Sequence, residues 1–128
     1  MEAWGLIGSV VAGVWLIGAA VFMAFGPERA LLVLRLTASS RLINNVEQGL
    51  RLAAGAALIL RSPASKLPAA FEVAGWFIVL SSLMLLVLPL RWHSAYAIWW
   101  ADRLPPMAVR LVAPLSALAG VGLIYFAL

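Results

Sequence analysis

The sequence predicts an all-α fold, an integral membrane helical bundle of about four transmembrane helices with interfacial connecting helices. Three observations carry that prediction. Hydrophobic residues make up 65% of the chain and charged residues 11%, against about 25% charged in a soluble domain. The apolar residues fall into long runs, close to the length that a hydrocarbon core of about 30 Å requires. The charges lie mostly between those runs. A soluble fold of 128 residues has too little interior to hide so much apolar surface, and lipid removes that difficulty. The chain reads as one membrane domain over 1–128.

The first span is expected at 3–25. It reads as retained rather than as a signal peptide, because the only charge ahead of the apolar run is Glu2 and the run is long for such a leader. Gly26-Pro27 ends it: glycine suits a helix C-terminus, and proline cannot extend the hydrogen-bond ladder. The next stretch, 28–42, is apolar from Ala30 to Leu34 but interrupted by Arg35 and Arg41. It is either an interfacial helix, an early start to the next span, or a basic connecting loop.

The second span is expected at 43–60 and is the most polar. Asn44, Asn45, Glu47, Gln48 and Arg51 fill its first half, so this helix should face protein more than lipid. A short basic turn, Arg61 to Pro68, then makes spans two and three an antiparallel hairpin. The third span is expected at 69–90. An interfacial segment follows at 91–106, dense in aromatic residues, with Trp92, Tyr96 and Trp99 at helical spacing. Indole and phenol rings collect where one edge is dry and the other wet. The fourth span is expected at 107–128, with Pro114 as a kink site. Halves 1–64 and 65–128 share a layout of two spans around a basic connector, without a shared motif.

Charge sets an orientation. The first connector carries Arg29, Arg35 and Arg41, and the third carries Arg91 and Arg103 with Arg110 close behind; the opposite side has Arg61 and Lys66. Positive connectors favour the cytoplasm, which places both termini outside. The net charge of +4 is dispersed in this way, which fits anionic lipid rather than nucleic acid.

Few residues could carry chemistry. Glu47 and Arg51, at i and i+4, share a helix face, and Arg110 is expected at similar depth on the fourth span, so the three form a candidate intramembrane polar cluster. Such a cluster could serve an ion, a proton or a headgroup, or it could clamp helices together. Trp92, His93, Tyr96, Trp99 and Trp100 are candidate interface anchors. His93 is the only histidine; as a pigment or metal ligand it would be expected deep in a span, and it stands at an edge. No cofactor is indicated. With no cysteine and no phosphate-loop, dinucleotide, zinc or nucleophile-triad pattern, no catalytic residue and no metal site is expected. Small residues at four-residue spacing (Ser9 and Gly13; Gly49, Ala53 and Ala57; Ala70 and Ala74; Ser116 and Gly120) suggest close helix packing, within the chain or against a partner.

Pro63-Ala64-Ser65-Lys66-Leu67-Pro68 and Pro89-Leu90-Arg91-Trp92-His93 resemble segments of small, uncharacterised multi-span bacterial inner-membrane proteins. The resemblance covers about a third of the chain and implies a location, not an activity. The small multidrug transporters share the size, but they require an acid deep in the first span, and this chain has only Glu2 at its edge. Taken together, the sequence leads to a non-enzymatic accessory, assembly or structural subunit, with membrane lipids and other membrane subunits or itself as partners. The alternative is a small oligomeric transporter or channel using Glu47, Arg51 and Arg110.

Overall fold

A computed structural model describes residues 2–37 and 39–128. Six α-helices and one 3-10 turn account for nearly all of them, with no strand among the described residues. Four helices are long: α1 (Glu2–Phe25), α3 (Arg41–Arg61), α4 (Pro68–Val87) and α6 (Pro106–Ala127). Two are short: α2 (Pro27–Leu36) and α5 (Leu90–Arg103). The 3-10 turn covers Ser62–Ala64.

Prolines punctuate the chain. Pro27, Pro68 and Pro106 each open a helix, where the missing N–H would be unpaired in any case. Segment 28–42 resolves into a separate helix, α2, followed by a break; Ser40 then caps α3, its hydroxyl accepting from the Ile43 amide at 3.1 Å. The third long helix stops at Val87, earlier than expected, because Pro89 pushes Leu88 into an extended conformation. The helix that follows therefore starts at Leu90. In contrast, α6 runs unbroken through Pro114.

Of the four long helices, α1, α4 and α6 are long and apolar enough to cross a membrane. Of the four expected spans three are met in this way; α3 has the length, but its first half, expected to be the most polar, keeps it below the same measure. Each long helix runs antiparallel to its neighbours. α1 packs along both α6 and α3, and α3 packs along α4. Thus one end of the molecule holds the Arg61–Leu67 turn with the start of α1 and the end of α6. The other end holds α2 and α5, which pack on each other and are tied by an Arg35–Asp102 ion pair. At the turn end Leu58, Phe71 and Ala127 form a buried cluster with Leu6, Leu123 and Phe126 against it.

Two of the crossings between long helices, α1 on α6 and α3 on α4, are built alike. At the α1–α6 crossing, a Cβ on Gly13 would lie 2.8 Å from the Gly120 carbonyl oxygen and 2.5 Å from Ile124; one on Gly120 would meet the Gly13 oxygen at 2.6 Å and Ile17 at 2.8 Å. At the α3–α4 crossing, Gly55 and Gly75 stand in the same relation, with Val79 and Ile59 as the flanking residues. Only glycine lets two backbones approach this closely.

The likeness extends into the sequence. Val11-Ala12-Gly13 in α1 recurs as Val73-Ala74-Gly75 in α4, and Pro27-Glu28-Arg29 is matched by Pro89-Leu90-Arg91 at the same spacing. Ala54-Gly55-Ala56-Ala57-Leu58-Ile59 in α3 recurs as Ala119-Gly120-Val121-Gly122-Leu123-Ile124 in α6. Burial follows the same register: Asn44, Gln48, Gly55 and Ser62 are buried in α3, and their counterparts Val109, Ala113, Gly120 and Ala127 are buried in α6. The chain is therefore two copies of one long–short–long unit, α1–α2–α3 and α4–α5–α6. Both units run in the same direction, and the layout shared by the halves does have a shared motif. The match is imperfect: the α1–α3 contact has a counterpart between α4 and α6 only at the turn end, around Phe71 and Ala127.

Candidate functional site

Helix α3 collects the polar side chains of the interior. Asn44, Gln48 and Arg51 follow one another at helical spacing along one face, and Asn44 and Gln48 are buried. At the short-helix end, His93 of α5 lies over Asn44, with Nδ1 2.9 Å from Oδ1. An amide oxygen can only accept, so Nδ1 carries the proton in this arrangement. Deeper along α3, Arg51 donates through Nη2 to Ser81 Oγ on α4 at 2.7 Å. It also reaches Gln48 Oε1 through Nη1 at a long 3.5 Å. Ser81 and Ser82 both turn their hydroxyls onto the Ile78 carbonyl. The result is a polar column, Asn44–His93 to Gln48 to Arg51–Ser81, between α3, α4 and α5.

Gln48 is the most enclosed member, at 0% exposure. Its Nε2 has no acceptor; Ser9 Oγ in α1 is the other buried side-chain atom in that state among the described residues. Leaving such a group unmet costs about 1–3 kcal/mol. Exchanging the amide atoms would turn Nε2 toward the donors of Arg51, so the unmet group at Gln48 is a donor.

The three residues expected to form a polar cluster are not brought together. Glu47 is half-buried and makes no ion pair among the described residues. Arg51 bonds to neutral partners instead. Arg110 is exposed on α6, across α1 from α3, and its Nε lies 3.3 Å from the Ala24 carbonyl oxygen near the end of α1. There it serves the unpaired carbonyls and the negative end of that helix. Arg61 and Lys66 do the same for α6: Arg61 Nε donates to Ala127 O at 2.6 Å, and Lys66 Nζ to Tyr125 O at 3.1 Å.

Among the expected anchors, Trp92, Tyr96, Trp99 and Trp100 are exposed on α5. Trp99 and Tyr96 each meet Trp100 edge-on, and the Arg103 guanidinium stacks over Trp99 at 4.1 Å. His93 differs from them: it is buried and faces α3. Among the described residues there is no group of three His, Asp or Glu side chains placed to hold a metal ion. The place of Ser81 and Ser82 in this column was missed by sequence reasoning, because in α4 the two serines sit inside an uncharged run. For α3 a signal existed, since 44, 48 and 51 fall on one helical face.

The chain matches no protein-family model, no curated protein and no solved structure.

Proposed function

We propose that this protein is a non-enzymatic accessory or assembly subunit of a larger membrane complex. The observation that carries the reading is the pair of glycine crossings, Gly13–Gly120 and Gly55–Gly75, where backbone lies on backbone. Helices in such contact leave no passage between them and make a rigid scaffold. Its outer faces are apolar along α1, α4 and α6. Membrane lipids and other membrane subunits, or a second copy, are the partners that such faces accept.

In this proposal α3 crosses the membrane with the other three long helices, sheltered by α1 and α4. The short-helix end, which carries Arg29, Arg35, Arg41, Arg91, Arg103 and Arg110, lies in the cytoplasm, and both termini lie outside. The aromatic face of α5 then sits in the headgroup layer. The resemblance to small bacterial proteins makes the inner membrane the expected location. Gentle purification followed by subunit identification tests the role. A foreign membrane subunit at fixed stoichiometry is the expected result. A pure homo-oligomer that conducts ions in vesicles would overturn it.

That second outcome belongs to the alternative, a small oligomeric transporter. The polar column favours it through Arg51, but Arg110 is engaged on α1 and does not join Glu47.

A further inference from the structure

The duplication supplies an internal control for the polar column. Each position in the column has a counterpart at the equivalent interface between α6, α1 and α2. Asn44, Gln48 and Arg51 correspond to Val109, Ala113 and Ser116, in the register set by Gly55 and Gly120. Ser81, Ser82 and His93 correspond to Ala19, Ala20 and Leu31, in the register set by Gly75 and Gly13. The counterpart interface is therefore apolar but for Ser116, whose hydroxyl is satisfied within the fold by the Leu16 carbonyl at 2.7 Å. The same fold closes one interface with small apolar side chains and the other with an amide pair, a guanidinium, two hydroxyls and an imidazole. Packing alone does not require those groups.

The enclosed atom that the column leaves unmet is a donor. Asn44 Oδ1 is engaged by His93, and Gln48 Oε1 and Ser81 Oγ by Arg51. Gln48 Nε2 is enclosed and unpartnered. Arg51 has further N–H donors and, among the described residues, no carboxylate within ion-pair distance. Glu47, the nearest acid in sequence, is half-buried and unpaired, and the other arginine at this end of α3, Arg41, is exposed. A buried, unmet donor beside an unneutralised guanidinium selects a small acceptor that carries negative charge.

We propose that the α3–α4–α5 interface is a binding site for a small monovalent anion, a halide or a small carboxylate, held by Gln48 Nε2 and Arg51. Asn44 and His93 close the site toward the short-helix end. This goes beyond the subunit reading and does not depend on it.

The test uses the whole protein in mild detergent, with thermal unfolding followed in sodium bromide, sodium formate and bulky sodium gluconate at equal ionic strength. Saturable stabilisation by bromide or formate over gluconate, of a few degrees, is expected. Bromide alone identifies a halide site, and formate alone a carboxylate site. Gln48→Ala should weaken the apparent affinity about tenfold, as one lost hydrogen bond to an anion implies. A second variant copies the apolar interface: Asn44→Val, Gln48→Ala, Arg51→Ser, Ser81→Ala, Ser82→Ala and His93→Leu. It should fold, melt in gluconate at or above the wild-type temperature, and show no anion effect. Equal melting of the wild type in all three salts would overturn the proposal, as would the same salt effect in the copied variant. A copied variant that does not fold would show that the column is structural, and would overturn it too.

Discussion

Glycine decides where the long helices touch, and the structure separates glycines that matter from those that do not. A Cβ on Gly55 would lie 2.9 Å from the Gly75 carbonyl oxygen, and one on Gly120 2.6 Å from that of Gly13, both backbone atoms that cannot move aside alone. A Cβ on Gly49 would meet nothing within 4 Å. Gly55→Ala and Gly120→Ala should each destabilise by about 1–3 kcal/mol through forced separation of backbones, and by similar amounts if the two crossings are equivalent. Gly49→Ala should be neutral or slightly stabilising, through helix propensity. Melting temperatures in mild detergent distinguish the cases; equal losses at Gly49 and Gly55 would show that the crossings do not hold the fold. At Ser116, the hydroxyl-to-Leu16 bond joins α6 to α1. Ser116→Ala should cost about 0.5–1.5 kcal/mol in the same assay. Part of this was legible in the sequence: the Ser9–Gly13 and Ser116–Gly120 pairs read as close-packing faces, and Gly13 and Gly120 do meet. On the α3 face Ala57 is buried against Gly8 of α1, but Gly49, Ala53, Ala70 and Ala74 are exposed, because spacing shows that a helix can be approached closely and not which neighbour approaches it.

At the level of elements, proline and charge marked the helices well. Gly26-Pro27, Pro68 and Pro105-Pro106 bound the long helices where the sequence placed breaks. Whether 28–42 was a separate helix, an early start to the next span or a loop was open in the sequence because apolar residues and arginines alternate there; Ser40 makes α2 a separate helix by capping a new one at Arg41. The side chains that α5 presents differ by face. Trp92, Tyr96, Trp99 and Trp100 point outward, and His93 points to Asn44. Fluorescence from Trp92, Trp99 and Trp100, with Trp4, Trp15 and Trp76 replaced by Phe, should resist iodide and respond to quenchers at headgroup depth. Free access to iodide would place α5 in water. The Arg35–Asp102 pair joins α2 to α5, but both side chains are nearly half exposed. Asp102→Asn should therefore cost less than about 1 kcal/mol, and the loss should shrink as salt rises. A larger, salt-independent loss would mean that the two short helices depend on that pair.

For the whole molecule, the duplication was the feature hardest to read. The V-A-G and A-G-x-x-L-I matches follow different registers, because the connecting chain between them differs in length in the two units. A comparison of equal halves, 1–64 with 65–128, fits neither register. Packing exposes the match, since identical backbone contacts recur at Gly13–Gly120 and Gly55–Gly75. Two units running in the same direction place α2 and α5 at one end and the Arg61–Leu67 turn at the other. In the proposed reading this arrangement crosses the membrane four times, with α3 among the crossings. Single cysteines report it directly: Ser39 and Ala95 at the short-helix end and Ala64 in the turn are all exposed. The predicted result, in intact cells treated with an impermeant thiol reagent, is that Ala64→Cys is labelled while Ser39→Cys and Ala95→Cys are labelled only after the membrane is opened. Labelling of Ser39→Cys and Ala95→Cys from opposite sides would contradict the four crossings and the parallel duplication together.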